Sequence, residues 1–371
     1  MRVTQGSRQL RVLFVIGTAQ PGGAERQLVR LATELQRQEH RVRVLFLAAG
    51  GPLTGELDLA GVEWSVLRPT GLPLTAPGRN GAAIVRLAWS LATWRPDVVS
   101  AWLAGVIWVT LPLAALLTRA KRVAAFRGRV LEKEVGAKRP FFMWAVRHAH
   151  AVTVNAPHLE DVAVHWGARV ERLAFIPNGV DLPAVPATVT HDPPTAVVVA
   201  HYQVYKGHDV LLESLQLVNA PLRVRLVGNG AGRSFIETLS VSLGVTEKVS
   251  FVDPPVVVAD ELQRAQFAIH PSRTEGLSNA ILEELAHGLP VVATDVGGTC
   301  LLVDDGVTGR LVPAGDAVAL AAAIEQLAGS AQLRESLSPM ARARATEFGW
   351  QQCTARYMAL FAELVSTRRP N

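Results

Sequence analysis

Residues 272–299 read SRTEGLSNAILEELAHGLPVVATDVGGT, and the alternation of elements around them sets the fold. Just upstream, Phe267–His270 is a short apolar run that reads as a strand, and Pro271–Leu277 is a loop. Ser278 or Asn279 can cap a helix that runs to about His287. Pro290–Ala293 then reads as a second strand, followed by Gly297–Gly298. Strand, helix and strand in this order form a crossover unit, and such units build a parallel sheet.

The same alternation extends outward in both directions. Thr195–Ala200 (TAVVVA), Leu222–Gly228 and Val249–Val252 are further strands of a second series. An earlier series starts at Arg11–Gly17 (RVLFVIG), which is followed by helical spacing over Gly22–Gln36 through Leu28, Leu31 and Leu35. It continues with Arg41–Ala48, Trp64–Leu67, Asp97–Ser100, Arg122–Ala125, Ala151–Val154 and Leu173–Ile176. Between the two series, Asn178–Pro194 holds four prolines and little periodicity, which suits an interdomain linker. Trp350–Val365 is one more amphipathic helix. The expected architecture is α/β, with two Rossmann-like, doubly wound parallel-sheet domains facing a central cleft, over residues 1–180 and 181–349. The helix within 350–371 is expected to pack back onto the first domain.

Length and composition agree with this. A chain of 371 residues is too long for one ordinary domain. With 49% hydrophobic and 19% charged residues it can bury real cores, which excludes a disordered chain. Two cysteines, Cys300 and Cys353, are too few for a disulfide scaffold and fit a reducing cytoplasm. Met1–Gln9 is mostly polar, so no signal peptide is expected there. Ala101–Thr118 is 18 uncharged residues, at the lower limit of a membrane span, but Pro112 interrupts it. It reads as a buried helix facing the sheet.

Charge is unevenly spread. Residues 1–182 carry a net +10 and residues 183–371 a net −5, which points to an anionic partner for the first half. Of membrane lipid, acidic glycan and nucleic acid, nucleic acid is the weakest candidate and is not expected, since no zinc-finger or RNA-recognition signature is present. Within Arg119–Arg147 stand Lys121, Arg122, Arg127, Arg129, Lys133, Lys138 and Arg139 against Glu132 and Glu134, with Phe141, Phe142 and Trp144 near them. That mixture suits an anionic membrane surface; it equally suits a solvated face whose aromatics lie in the core.

Several residues could carry chemistry. The helix amino end at Leu277, Ser278, Asn279 and Ala280, with Gly276 before it, offers backbone N–H groups to a phosphate. Glu283, on that helix, could accept hydrogen bonds from ribose hydroxyls. Glu275, in the loop with seven residues between it and Glu283, could reach hydroxyls of whatever the phosphate carries. The plainer reading of this pair is an acid complementing the helix dipole plus a solvated glutamate. Gly22 and Gly23 follow the first strand and either start a helix or admit phosphate or sugar to the backbone. No D-x-D motif and no Cys/His cluster is present, and His148 and His150 stand two apart, so no metal is expected. Lys206, one of only five lysines against 32 arginines, is either an ordinary surface lysine or a cation for a phosphate held at the helix N–H groups.

The E-x7-E arrangement Glu275/Glu283 within EGLSNAILEELAHGLPVVATDVGG, followed by DDGVTGRLVPAGD (Asp304–Asp316), resembles glycosyltransferase family 4. Gly22–Gly23–Ala24–Glu25, Ile176–Asp181 (IPNGVD) and Lys206–Gly207 stand at matching places, so the resemblance covers nearly the whole chain. It implies the GT-B fold and a retaining, metal-independent transfer of a hexose from a UDP- or GDP-sugar to a hydroxyl of a glycan or lipid-linked acceptor. It further implies front-face chemistry, with Glu275 positioning the sugar while the departing phosphate helps take the acceptor proton. The chain departs from the family at three places: Ala200–His201–Tyr202 where Gly-Arg-Leu is common, Arg127 where a loop histidine is usual, and Leu301 where a glutamate is usual. His201 is then a candidate helper at the phosphate, and Arg127 a candidate contact to sugar, phosphate or an acidic acceptor.

The resemblance implies a role in cell-surface polysaccharide or glycolipid synthesis, while the cysteine count suits the cytoplasm and the basic first half suits the inner membrane face. The rivals are a sugar-nucleotide epimerase of the same fold and a silent nucleotide-sugar-binding protein. A dinucleotide-dependent oxidoreductase is disfavoured, because no G-x-G-x-x-G follows Arg11–Gly17.

Overall fold

The computed structural model describes residues 8–68, 79–128, 130, 132–184, 186–187, 191–253 and 257–367; Arg129 and parts of the proline-rich stretch lie outside them. The chain divides into two compact units, Met1–Gly179 with Trp350–Asn371, and Val180–Gly349.

The first unit is built on seven strands: β1 (Arg11–Thr18), β2 (Arg41–Ala49), β3 (Glu63–Val66), β4 (Val98–Trp102), β5 (Lys121–Phe126), β6 (Ala151–Val154) and β7 (Leu173–Phe175). They are parallel in the order β3-β2-β1-β4-β5-β6-β7. The chain therefore winds outward from β1 to one edge and returns to β4, leaving a switch point between β1 and β4. Val12–Ile16 of β1 are all buried, which is why RVLFVIG reads as a continuous apolar run: a parallel strand is covered on both faces. On one face lies the helix Gly23–Arg37 together with Trp350–Ser366, whose Cys353, Tyr357 and Phe361 join Phe14 and Trp102 in one core. Right-handed crossovers place Arg79–Trp94, Ala104–Leu117 and Arg139–Arg147 on the opposite face, where Ala104–Leu117 packs between the other two.

The apolar stretch Ala101–Thr118 is thus divided. Its first residues finish β4, Leu103 makes the turn, and Ala104–Leu117 forms a helix of 14 residues with Pro112 inside it. Among the described residues no helix is long and apolar enough to cross a membrane.

The second unit has six parallel strands: β8 (Thr195–Val199), β9 (Arg223–Val227), β10 (Val249–Val252), β11 (Phe267–His270), β12 (Val291–Thr294) and β13 (Gly309–Val312). Their order is β10-β9-β8-β11-β12-β13, with the switch point between β8 and β11. The periodicity gave no sign of β13, whose four residues include an arginine. It can pair closely with β12 because Gly309 has no side chain; a Cβ there would lie 2.0 Å from the Val291 carbonyl oxygen.

The chain passes between the units twice, at 179–180 and at 349–350. Each unit holds its own residues at these points. Gln27 exchanges two hydrogen bonds with the Gly179 backbone (2.8 and 2.9 Å), and a Cβ at Gly179 would strike the Trp350 ring at 2.6 Å. Asn178 accepts a bond from Asn155 (3.1 Å), and Val180 pairs with Gly349. The first residues of the proline-rich stretch are therefore part of the folded units.

Candidate active site

In a doubly wound sheet the loops leaving the two switch-point strands diverge and open a crevice at their carboxyl ends. In the second unit those loops follow β8 and β11, and four contacts stitch them together. Gly207, at φ +70°, sits where a Cβ would lie 1.9 Å from the Pro271 carbonyl oxygen, so only glycine fits. Arg273 makes a paired ion bridge to Asp209 (2.7 and 2.8 Å), and its backbone N–H donates to Tyr205 O (2.7 Å). The fourth contact carries the chemistry. Lys206 Nζ donates to Glu275 Oε1 at 2.6 Å, with only 15% and 9% of the two side chains exposed.

The same Glu275 oxygen also accepts from His270 Nε2 (2.9 Å) and Ser272 Oγ (2.7 Å). Burial alone would raise the carboxyl pKa, but the hydrogen bond and charge of His270, then those of Lys206, outweigh it and hold it down to about 2. A carboxylate that weakly basic is a hydrogen-bond acceptor rather than a proton-transfer base near neutral pH. His208, beside this cluster, is pushed down to about 4, first by burial and then by the nearby His270 and Lys206.

The helix after the β11 loop spans Asn279–Ala286, with Ser278 as its cap: the serine Oγ accepts from Ile281 N at 3.4 Å. Its amino end lies directly after the loop that carries Glu275, and the next loop is tied in where Gly298 N donates to Gly276 O (2.9 Å). Leu277 and Ser278 are buried, whereas Asn279, Ala280 and Glu283 are half-buried. Glu284, the neighbour of Glu283, differs from it in burial. It is 0% exposed, and neither carboxyl oxygen has a hydrogen-bond partner among the described residues. Burial, then the charge of Glu283, raises its pKa well above the ordinary value.

Sequence reasoning passed over both His270 and Glu284. The histidine ends a strand where it reads as core, and EE looks like a solvated pair. The loop after β9, Gly228–Gly232 (GNGAG), is a glycine-rich signal legible in the sequence. Cβ atoms at Gly228 and Gly232 would meet Ala200 O and Tyr202 O at 2.0 and 2.5 Å, so these glycines hold the β8 loop. There His201 is exposed, and its Nδ1 lies 2.7 Å from Asn229 Oδ1.

The first unit has its own crevice at its switch point. A cavity of about 380 Å³ opens beyond β1, β4 and β5, lined by Gly17, Trp102, Leu103, Phe126 and Arg127 among others. Leu103 takes φ +74° there, a backbone state that costs a leucine about 1–3 kcal/mol and tends to occur at functional sites. The Arg127 guanidinium stacks over Trp102, 4.0 Å from the ring centre, and donates weakly to Ile176 O and Asn178 Oδ1 (3.4 and 3.5 Å). Its Nε and Nη2 are buried without a partner among the described residues, and burial pushes the group down to about 10. Gly22 caps the first helix with ordinary extended backbone, and a Cβ there would meet only the flexible end of Glu25. Gly23 opens that helix.

Comparison with known proteins adds an independent line. Residues 21–183 match the family model Glycosyltransferase Family 4, and residues 193–330 match Glycosyl transferases group 1. A D-inositol 3-phosphate glycosyltransferase of Xylanimonas cellulosilytica is 32% identical over 57% of this chain and 56% of its own length. The chain thus spans about half of that relative. Its counterpart from Corynebacterium diphtheriae is 27% identical over 98% of this chain and 95% of its own. Among solved structures, Anabaena Alr3699/HepE in complex with UDP and glucose superposes with a TM-score of 0.84, at 20% identity, over 96% of this chain and 100% of that one.

Proposed function

The chain belongs to glycosyltransferase family 4, with the GT-B fold, and from that premise we propose that it transfers a hexose, with retention, from a nucleoside-diphosphate sugar to a hydroxyl acceptor. The observation that carries this is the Lys206–Glu275 pair above the β8/β11 switch point, beside the amino end of the helix Asn279–Ala286. A lysine ammonium has three donors and the bond to Glu275 uses one, which leaves capacity for a pyrophosphate oxygen. The N–H groups from Gly276 through Ala280 share that charge as the leaving group develops it. Glu275, ionised and anchored on three donors, accepts from sugar hydroxyls and orients the reacting carbon. Glu283 accepts from the ribose, and His201 assists at the phosphate.

The departing phosphate takes the acceptor proton, in keeping with a Glu275 too weak a base for that step. The cavity of the first unit, with Arg127 in its lining, takes the acceptor, a glycan or lipid-linked alcohol of cell-surface polysaccharide or glycolipid synthesis. UDP is the favoured nucleotide on the strength of the Anabaena structure, with GDP the alternative. The relatives named for D-inositol 3-phosphate make phosphorylated polyols sensible first acceptors to try. The test is thermal stabilisation by UDP, GDP, ADP and NAD in parallel, followed by NMR assignment of the product anomer. Stabilisation by UDP or GDP and an anomer matching the donor are expected. No response to either nucleotide, or an inverted product, removes this reading.

A further inference from the structure

The helices Arg79–Trp94, Ala104–Leu117 and Arg139–Arg147 lie side by side on one face of the first unit's sheet. Their combined sequence contains four arginines and not one aspartate or glutamate. An ordinary solvated helix face mixes both signs, so three neighbouring helices without a carboxylate are a departure that needs a cause. Their outward residues are equally unusual. Trp89 is 72% exposed, Leu116 80% and Phe141 59%, and Val85 and Trp144 are also exposed. Val85 and Trp89 are four apart, and Phe141 and Trp144 three apart, so each pair forms a single stripe on its helix. Phe142, between the latter two in sequence, is fully buried against Phe126 and Trp166. The helix Arg139–Arg147 therefore fills its core with one aromatic and still presents two others outward.

Cations frame these apolar stripes. Arg86 and Arg147 are exposed on the helices themselves, Arg95 and Arg119 just beyond their ends, and Lys138 just before the last. Arg139 is paired with Glu132 (3.0 Å) and is thereby partly neutralised, and Lys138 lies over the Trp108 ring, 5.1 Å from its centre. Arg129 lies outside the described residues, and nothing is described of the Lys133 side chain.

We propose that the outer surface of these three helices docks the protein onto an anionic lipid membrane. Exposed tryptophan, phenylalanine and leucine enter the acyl boundary, while arginine and lysine meet lipid phosphates at headgroup level. Charge complementarity selects this occupant: a second copy would set arginine against arginine across a self-complementary contact, and a neutral apolar partner would leave the cations without counterions. The apolar and basic parts act together, since either alone gives marginal attachment. The inference depends on the first unit only and stands apart from the donor chemistry proposed above.

The experiment is flotation of the full chain with phosphatidylcholine vesicles, with and without about 30% phosphatidylglycerol, at about 0.1 M and about 0.5 M NaCl. Co-flotation with the anionic vesicles at low salt is expected, and release at high salt. Arg86→Gln with Arg147→Gln lowers the partition coefficient about thirty-fold, since each cation contributes about fivefold near such a surface. Trp89→Ser with Phe141→Ser lowers binding at both salt concentrations. Circular dichroism and the UDP thermal shift, read on each variant, establish folding, so a missing UDP shift in the wild type counts against the proposed function and leaves the flotation result intact. Three outcomes overturn the proposal: no wild-type binding to anionic vesicles at low salt, equal binding of wild type and both variants, or lipid-free dimerisation that Trp89→Ser with Phe141→Ser abolishes.

Discussion

Lys206 and Glu275 stand 69 residues apart in the chain and 2.6 Å apart in space, joined by a hydrogen bond that bridges the loops leaving β8 and β11. Each therefore sets the charge state of the other's surroundings. Lys206→Ala should lower turnover about 10²–10³-fold by removing a cation from the leaving phosphate. Steady-state kinetics with a nucleotide sugar checks this, and near-wild-type turnover would assign the phosphate to His201 or another group.

Glu283→Gln should weaken nucleotide affinity about 10- to 150-fold, the equivalent of about 1.5–3 kcal/mol for a hydrogen bond to a charged acceptor. The half-buried position of Glu283 predicts no loss of fold. Calorimetric titration with the nucleotide decides the point, and unchanged affinity takes Glu283 out of the site.

Gly207→Ala tests the backbone contact beneath the pair. The added Cβ has nowhere to go, with Pro271 O at 1.9 Å and a φ of +70°, so the two loops must separate. A loss of about 3–5 kcal/mol is expected by urea unfolding, with weaker nucleotide binding in whatever folded protein remains. A stability within error of wild type would mean that the loops are not clamped as described.

Glu284→Met should stabilise the protein by about 1–3 kcal/mol at neutral pH, because it replaces a buried acid lacking partners with an apolar side chain of similar size. The sign of the pH effect is specific. The unfolded chain ionises Glu284 near its ordinary pKa while the folded chain keeps the proton, so wild-type stability falls as pH rises above about 4.5. The advantage of Glu284→Met is then larger at pH 8 than at pH 5. An equal advantage at both would show that the carboxyl is solvated or paired.

His208 works in the opposite direction. Its folded pKa of about 4 lies below the ordinary value of 6.5, so the unfolded state takes up a proton first as pH falls. Between those values the wild type should lose of order 2–3 kcal/mol, and His208→Leu should show a shallower slope over the same window. Parallel slopes from denaturant titrations would place the proton uptake elsewhere.

Much of this was written in local pattern. Parallel strands covered on both faces announce themselves as apolar runs, and Ser278 is a cap by chemistry alone. Glu275 and Glu283 could be singled out because their spacing brackets a helix start. What escaped depended on which side chains the fold brings into contact or buries. His270 gains its importance only from Glu275, and Glu284 differs from Glu283 only in its burial. The four residues of β13 pair because Gly309 lets them approach Val291, which no period reports. Phe141, Phe142 and Trp144 formed one undivided aromatic cluster in the sequence; the helix sends the middle one inward and the other two outward.

The helix Trp350–Ser366 has a consequence for biosynthesis. It supplies Cys353, Tyr357 and Phe361 to the core of the first unit, yet it is translated after the whole of the second. Emerging from the ribosome, the second unit has all its strands while the first still exposes Phe14 and Trp102 where those side chains will sit. Domains usually mature in the order of their synthesis. Here the domain begun first is completed last, so a nascent chain halted before residue 350 is a form that chaperones should hold longest.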